Sequence, residues 1–560
     1  MMQVRRLVVA AIALTALSSF TAHAEKNTVC TITVNSPDEK QVFRRYLPDD
    51  QFQFVELIER GRPDWLASAC QKQVQCDVLV ISGHFDGGTE FYSDKLDARE
   101  SLPVEEIERV SCSDSCPGLF SKLKEVYLFG CNTLNGETGD SVAAEITRTL
   151  IRSGESVADA EKLAQSLNQR YGESNRDAMR RIFADVPVIY GFSSLAPLGA
   201  LAGPMLGKYF QNAPAGEIGS GRVSPSLLRQ FAASSMIATS GLVSTEPRAV
   251  ARAEACEYVD QRQSAAQKVE AIHRVLGRDM AEVRMHFDRI EKLTTSLVSA
   301  GRSTPEVADA LGSIARDEQT RARFLRFARN TDRPEIRTRM IRLADTLGWL
   351  PPEAQRQELM DMIGDQLVQD QLSFAEVDLI CSLNRDHWLD GDRHRLHVPA
   401  ALSAKPAQSA ILACLGSSDA HARVLRALTS PDDRDVQIAQ VYLRHHPIAD
   451  VAELRTVAAG IARMSMSDAQ IRALDTLAFH YVADRESLDL LARLFSIAKS
   501  LTVQRAIAGI FIRSDYQSLP KPDLVRVLQQ YRVKSPDGAD LIDMLIRRLQ
   551  MATGAIDAPA

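Results

Sequence analysis

The sequence predicts a protein in two parts, an N-terminal α/β domain with a mostly parallel sheet and a C-terminal all-α domain. Four short runs of β-branched and aromatic residues alternate with helical stretches in the first 211 residues, a pattern typical of parallel strands covered by helices. Beyond about residue 254 the strand signals stop, and apolar residues recur at helical spacing almost to the end. A chain of 560 residues is long enough for more than one domain.

The N-terminus has the features of a secretory signal peptide covering residues 1–24. Arg5 and Arg6 form a basic flank, residues 7–17 form an apolar core, and Ala22-His23-Ala24 is a small-x-small cleavage site. Later apolar runs are too short to span a bilayer. We therefore expect an exported protein, periplasmic or extracellular, with no membrane span after signal removal.

Charge and composition narrow the range of partners. The formal net charge of -6 gives no general attraction to nucleic acid or to anionic membranes, and the hydrophobic and charged fractions of 45% and 25% are ordinary for a folded protein. We expect neither nucleic acid nor a membrane as a partner.

Export gives the nine cysteines a structural meaning, because disulfides persist in oxidising compartments. An odd count leaves one thiol without an intramolecular partner, and Cys131 is the candidate for that thiol. Cys381 and Cys414 lie one helical repeat apart and are placed to join neighbouring helices. Eight cysteines are sufficient for up to four disulfides, with a connectivity that the sequence does not determine: Cys30, Cys70, Cys76, Cys112, Cys116, Cys256, Cys381 and Cys414.

The α/β domain is expected to contain four buried strands. Near-continuous apolarity is typical of parallel strands that are covered on both faces. Two helices are predicted between them, over 103–110 with acidic residues in its first turn and over 140–151. The strands are predicted at 30–34, 77–82, 125–129 and 186–191.

His84 and Cys131 each follow the carboxyl end of a predicted strand by two residues. Open α/β sheets form their binding sites at this edge. If the two strands are neighbours, the imidazole is placed to take the thiol proton, and the resulting thiolate is a nucleophile. Nearby glycines would let a substrate backbone approach and leave amides free to bind an oxyanion: Gly83, Gly87, Gly88 and Gly130.

Three segments of the sequence resemble the caspase-like cysteine peptidases, the group that contains caspases, gingipains, separases and CHAT domains. "SGHFDGG" is similar to the histidine motif, "YLFGCNT" to the cysteine segment of CHAT domains, and "VPVIYGFSSLAPLG" to the following strand. The 47-residue separation of His84 and Cys131 is near the roughly 50 of caspases. The resemblance covers about residues 27–211.

The resemblance implies a cysteine endopeptidase with a His84/Cys131 dyad that needs no metal or cofactor and acts on a protein or peptide. The backbone amides of Phe85 and Cys131 would bind the oxyanion. Asp86, Glu90 and Asp94 are candidates for an acidic substrate pocket, which would select Arg or Lys.

The sequence departs from the family in two places. Phe85 replaces the glycine that usually follows the histidine, which is expected to narrow the cleft. The caspase segment QAC[RQG]G is absent, which argues against a true caspase.

Other interpretations of the same residues stay open. His84 is also compatible with an ordinary loop histidine, and Cys131 with a buried thiol or half of a disulfide. The alternative function is a catalytically inactive caspase-like scaffold whose helical domain mediates protein-protein interaction. A thiol-disulfide redox protein is disfavoured, because the sequence contains no C-x-x-C motif.

The second half of the chain is predicted to be helical repeats. Residues 212–254 are expected to form a linker and a connecting helix, 255–552 the repeat domain and 553–560 a flexible tail. Helix pairs recur about every 35 residues and resemble HEAT repeats, whose long surface suits a protein partner. A compact helical bundle is the alternative. Three apolar stripes support the helices: Val451, Leu454, Val457 and Ile461; Ile471, Leu474, Leu477 and Tyr481; Val503, Ile507 and Ile510.

The histidine-rich segment "HWLDGDRHRLH" admits a metal site or a polar loop between helices. It brings His387, His394 and His397 close to Asp390 and Asp392, but it matches none of the fixed zinc motifs. No metal is expected.

Overall fold

The computed structural model divides into two compact units between Thr320 and Arg321, here called the N-terminal unit and the helical unit. The predicted signal peptide and residues 555–560 of the predicted tail lie outside the described residues. The structure describes residues 26–57, 66–86, 88–94, 100–112, 116, 118–137, 142–172, 174–212, 216–246, 248–260, 262–299, 304–390, 400–465, 467–514, 521–535 and 540–554.

A six-stranded sheet forms the centre of the N-terminal unit. Its strand order is β2-β1-β3-β7-β8-β9, and all neighbours are parallel except β9, which runs antiparallel to β8. This confirms the predicted α/β region with a mostly parallel sheet. The strands are β1 Asn27–Thr33, β2 Phe52–Glu56, β3 Val78–Ser82, β7 Glu125–Phe129, β8 Val188–Phe192 and β9 Met236–Thr239.

A smaller antiparallel sheet follows β3 directly. It consists of β4 His84–Asp86, β5 Glu90–Tyr92 and β6 Ser101–Pro103, with β5 in the centre. His84 pairs with Tyr92 and Phe85 with Phe91, so the histidine that follows β3 lies in a hairpin strand.

The central strands are apolar along most of their length because both faces of the sheet are covered. In β3, Leu79 and Ile81 belong to the core on one face, whereas Val78 and Val80 belong to the core on the other. All five residues of β3, of β7 and of β8 are buried. This explains why the sequence shows near-continuous apolar runs there and not an alternating pattern.

Helices cover the sheet and extend the N-terminal unit beyond it. The predicted helices at 103–110 and 140–151 are present as α3 and α4. The segment predicted as a linker contributes α8, α9 and strand β9. The helices are α1 Asp38–Tyr46, α2 Ala67–Gln71, α3 Val104–Cys112, α4 Val142–Arg152, α5 Val157–Tyr171, α6 Asn175–Ile182, α7 Gly199–Asn212, α8 Pro225–Gln230, α9 Ala249–Val259, α10 Ala265–Leu276, α11 Met280–Ser299 and α12 Pro305–Ala315.

The helical unit contains helices and no strands in its described residues. This confirms the predicted all-helical C-terminal region. The helices are α13 Glu318–Asn330, which spans the division, α14 Pro334–Thr346, α15 Pro352–Leu367, α16 Phe374–Arg385, α17 Ala400–Ser403, α18 Pro406–Cys414, α19 Ser418–Ala427, α20 Asp433–His445, α21 Val451–Arg463, α22 Asp468–Leu477, α23 Arg485–Ile497, α24 Leu501–Arg513, α25 Lys521–Tyr531 and α26 Leu541–Gly554.

From α18 onward, helices two apart in the chain pack side by side. The even-numbered helices from α18 to α26 form one such series and α19, α21, α23 and α25 the other. Two layers of this kind let each helix pair bury its apolar face against the next pair. The predicted stripes lie in α21, α22 and α24, but Tyr481 falls beyond the end of α22 and is 66% exposed.

Four disulfides form and leave Cys131 as the one free cysteine of the described residues. They confirm the predicted disulfide bonding, including the pair that joins α16 to α18, and they fit an exported protein. The pairs are Cys30–Cys76, Cys70–Cys116, Cys112–Cys256 and Cys381–Cys414. Of the helices that the structure describes, none combines the length and the apolar character needed to cross a membrane.

Thiol counting tests this pattern. Unfolding the mature protein without reductant should expose one thiol to alkylation, at Cys131, and reduction should expose all nine. Mass spectrometry of the digest should recover the four bridged peptides. An alkylated cysteine other than Cys131 in the unreduced sample would contradict the pairing.

A buried ion pair joins α4 to α11 within the N-terminal unit. The guanidinium of Arg284 donates to both carboxylate oxygens of Glu145, at 2.7 and 2.8 Å, and both side chains are almost fully buried. Removing one partner of such a pair leaves an uncompensated buried charge, which costs about 3–5 kcal/mol.

Arg284→Met should therefore accelerate hydrogen exchange of the α4 amides by two orders of magnitude or more, because the local opening free energy falls by about 3–5 kcal/mol. Exchange measured by mass spectrometry reports this change. The double variant Glu145→Leu/Arg284→Met removes both charges and should recover most of the protection. Unchanged exchange in the single variant would show that the pair does not hold α4 in place.

Candidate active site

Strands β3 and β7 bring the histidine and the cysteine to the same edge of the sheet. They are parallel neighbours in register, with Ser82 opposite Phe129. His84 and Cys131 lie two residues beyond these positions. The N–H of Gly83 donates to the carbonyl oxygen of Phe129 at 3.1 Å, which continues the pairing one step past the strand ends.

Gly130 allows the two segments to pack against each other. A Cβ at this position would lie 2.8 Å from the Cβ of Phe85 and 2.9 Å from the carbonyl oxygen of Gly83. Real side chains do not tolerate such contacts. The glycine is therefore required by close approach of the histidine segment, and its backbone conformation is ordinary.

A small cleft, hereafter the cleft, lies between His84 and Cys131. Its volume is about 40 Å³, well below the roughly 300–1,000 Å³ of typical ligand pockets. It has room for a few water-sized groups, since one water needs on the order of 10–15 Å³. It is lined by Asn35, Ser36 and Glu39 and by residues 82–84, 129–131 and 196–199.

The sulfur of Cys131 accepts a hydrogen bond from the backbone N–H of Ala196, at 3.3 Å. The cysteine turn is fixed by its neighbour Asn132, which adopts the left-handed conformation with φ 59° and donates its N–H to the carbonyl oxygen of Ser194 at 2.7 Å. The sequence motif "SSLAPLG" contains Ala196, but no pattern in it indicates a contact with the cysteine.

The imidazole of His84 lies beside Asp94. Its Nε2 is 3.3 Å from Oδ2 of that carboxylate, at an angle unsuited to a hydrogen bond, and Nε2 is buried without a hydrogen-bond partner among the described residues. The ring also contacts Tyr92, with centroids 5.4 Å apart. The imidazole makes no hydrogen bond with Sγ of Cys131 in the described structure, so proton transfer requires a bridging water or a small approach.

Phe85, Glu90 and Asp94 were also predicted for the site, but their side chains do not line the cleft. Phe85 is 2% exposed and its ring packs on Phe91 in the core, so its side chain does not line the cleft. Glu90 pairs with Asp86 across the hairpin, and neither Glu90 nor Asp94 lines the cleft. The side chain of Asp86 lies outside the described residues.

The backbone amide of Cys131 is available for an oxyanion, since it donates no hydrogen bond to any other described residue. Thr133, two residues further on, stabilises the turn with two hydrogen bonds. Its hydroxyl donates to the carbonyl oxygen of Gly130 at 3.1 Å and accepts from the N–H of Phe192 at 3.1 Å.

Glu39 lines the cleft from the first turn of α1 and was not among the residues predicted for the site. Its side chain is 3% exposed, and burial raises its pKa to about 7. Asp38 raises this pKa further, whereas hydrogen bonds from its own amide and from the Ser82 hydroxyl lower it. Its Oε2 has no hydrogen-bond partner among the described residues. The sequence contains one indication that Glu39 is buried: it lies four residues before Phe43, on the same face of the helix.

The histidine-rich segment is described only in part. Nδ1 of His387 lies 3.0 Å from Oδ2 of Asp390, and His394, His397 and Asp392 fall outside the described residues. In the described ranges no group of three or more His, Cys, Asp or Glu side chains is arranged to hold a metal ion.

No protein-family model, no curated protein and no solved structure matches the chain.

The raised pKa of Glu39 predicts how stability depends on pH. Between pH 4.5 and about 7 the carboxyl ionises in the unfolded chain but stays protonated in the folded one, so stability falls across this window by about 3 kcal/mol. Glu39→Gln removes the ionisable group. The variant's stability relative to wild type should therefore rise by about 3 kcal/mol from pH 4.5 to pH 8, as measured by urea denaturation. A difference that is the same at both pH values would contradict this assignment.

Proposed function

We propose that the protein is an exported cysteine endopeptidase of the caspase-like type, in which His84 and Cys131 form the catalytic dyad. The supporting observation is that both residues line one cleft at the carboxyl edge of two adjacent parallel strands. Among the described cysteines, Cys131 is also the one that forms no disulfide. The signal sequence and the four disulfides support a periplasmic or extracellular location.

In the proposed reaction, His84 takes the proton of Cys131, directly or through one water in the cleft. The thiolate attacks the scissile carbonyl carbon, and the amide of Cys131 binds the developing oxyanion. The imidazolium then protonates the leaving amine as the C–N bond breaks. Water activated by His84 hydrolyses the resulting thioester and restores the thiol. The residues require no metal or cofactor for these steps.

Two neighbours support the dyad. The N–H of Ala196 would hold the sulfur in position for attack. Asp94 would orient the imidazole, because its carboxylate lies 3.3 Å from Nε2. This role differs from the pocket role expected from the sequence.

The helical unit is proposed to bind the protein substrate or a protein partner. The two-layered packing from α18 to α26 supports a HEAT-like solenoid, which presents a long surface to a protein. The inactive scaffold is the competing function, and the labelling experiment separates the two.

Labelling with an acyloxymethyl ketone probe tests the dyad. The probe should label wild type at Cys131, and Cys131→Ala should abolish labelling. His84→Gln keeps the thiol but loses the base, so its labelling rate should fall by about 10²–10⁴. Mass spectrometry locates the adduct.

The control is Asp378→Asn in the helical unit, which removes the partner of His445 and should leave the labelling rate unchanged. Equal labelling rates in wild type and His84→Gln would reject the dyad. Labelling that persists in Cys131→Ala would reject the nucleophile, and no labelling of wild type with any probe of a panel would favour the scaffold.

A further inference from the structure

We propose that Glu39 is the recognition group of the cleft and that it binds the cationic end of a substrate Lys or Arg side chain. The inference rests on the proposed function, in which the cleft receives a peptide, and it names the substrate class and the residue that selects it. The group differs from the three acidic residues that the sequence indicated.

The first reason is that Glu39 is buried without a charge partner. It is 3% exposed, and its Oε2 has no hydrogen-bond partner in the described part of the chain. Burying an ionised carboxylate without a partner is costly, whereas a cation that pairs with it offsets the cost. An incoming ammonium or guanidinium group supplies such a partner.

The second reason is that the described surroundings supply no cation to Glu39. Lys40, the next residue, pairs with Glu56 at 2.7 Å, and Asp38 adds negative charge. Strand β3 carries no charged residue, and His84 and Cys131 are the titratable groups on the other walls of the cleft. Helix α7, which packs on α1, carries Lys208 and the titratable Tyr209, and neither lines the cleft.

The third reason is the shape and lining of the cleft. A volume of about 40 Å³ suits an ammonium or guanidinium head, and it is too small for an aromatic side chain. An exposed apolar side chain borders the cleft, since Leu198 lines it and is 61% exposed. Lys and Arg have an aliphatic stem below a charged head, so they match an exposed leucine beside a buried carboxylate.

Binding of a cation should be linked to loss of a proton. Burial raises the pKa of Glu39 to about 7, so the carboxyl is mostly protonated at pH 6 and mostly ionised at pH 8. A cation favours the ionised form. Affinity should therefore rise by about tenfold from pH 6 to pH 8, with a proton released on binding at the lower pH.

The test uses the full mature chain carrying Cys131→Ala, which cannot turn over a ligand. Nα-acetyl-arginine amide and its neutral, nearly isosteric citrulline counterpart are titrated at pH 6 and pH 8 by NMR. The arginine ligand should bind at least tenfold more tightly than citrulline at pH 8. Calorimetry in buffers of different ionisation enthalpy should detect the proton released at pH 6.

Variants at position 39 assign the preference to the carboxylate. Glu39→Gln should remove the preference for arginine, and Glu39→Asp should retain part of it because the charge is kept. Circular dichroism verifies that each variant folds. Equal binding of the two ligands, or a preference that survives Glu39→Gln, would overturn the proposal.

The outcome is separable from that of the proposed function. Probe labelling reports on Cys131 and His84, whereas the arginine preference is measured with the sulfur absent. An arginine preference without labelling of wild type would leave the cation site standing and reject the peptidase. Labelling of Cys131 without an arginine preference would support the peptidase and reject the cation site.

Discussion

The candidate site depends on the parallel pairing of β3 with β7. Because Ser82 lies opposite Phe129, the chain leaves both strands at the same level and in the same direction. Two loops separated by more than forty residues in sequence then share one cleft. A shift of one residue in this register would move every side chain of a strand from one core to the other, and the close packing of the two cores opposes it. The position of the site is thus a consequence of core packing.

The central strands that could be predicted from the sequence are those in which every residue is buried. β3, β7 and β8 are buried along their length, so their apolar runs are unmistakable. β2 lies at the sheet edge and mixes buried with exposed positions, and β9 lies in a segment rich in glycine, proline and serine. Both strands form because a neighbouring strand provides backbone hydrogen bonds. The local composition does not reveal that neighbour. Tyr481 illustrates the same limit for helices, since an apolar residue at the right spacing does not extend α22 past Leu477.

The site was predictable to the extent that it follows strand ends. His84 and Cys131 could be identified because each stands just after an apolar run, where sheets form their binding sites. Glu39 could not be identified in this way. An acidic residue in the first turn of a helix is ordinary on an exposed surface, where it interacts with the helix dipole. Its burial results from packing against Ser82 and the rest of the cleft, which only the fold brings together. The contact of Ala196 with the sulfur is equally a product of tertiary structure.

The disulfides near the sheet are distributed unevenly along the strand direction. Cys30–Cys76 and Cys70–Cys116 both fasten the segment that leads into β3, and the amide of Cys76 donates to the carbonyl oxygen of Leu119 in the same neighbourhood. Among the described residues, the opposite end of these strands, where His84 and Cys131 lie, is joined by hydrogen bonds and packing. The cross-links nearest β3 therefore lie at its amino end. A rearrangement around the cleft, at its carboxyl end, would leave both of them intact.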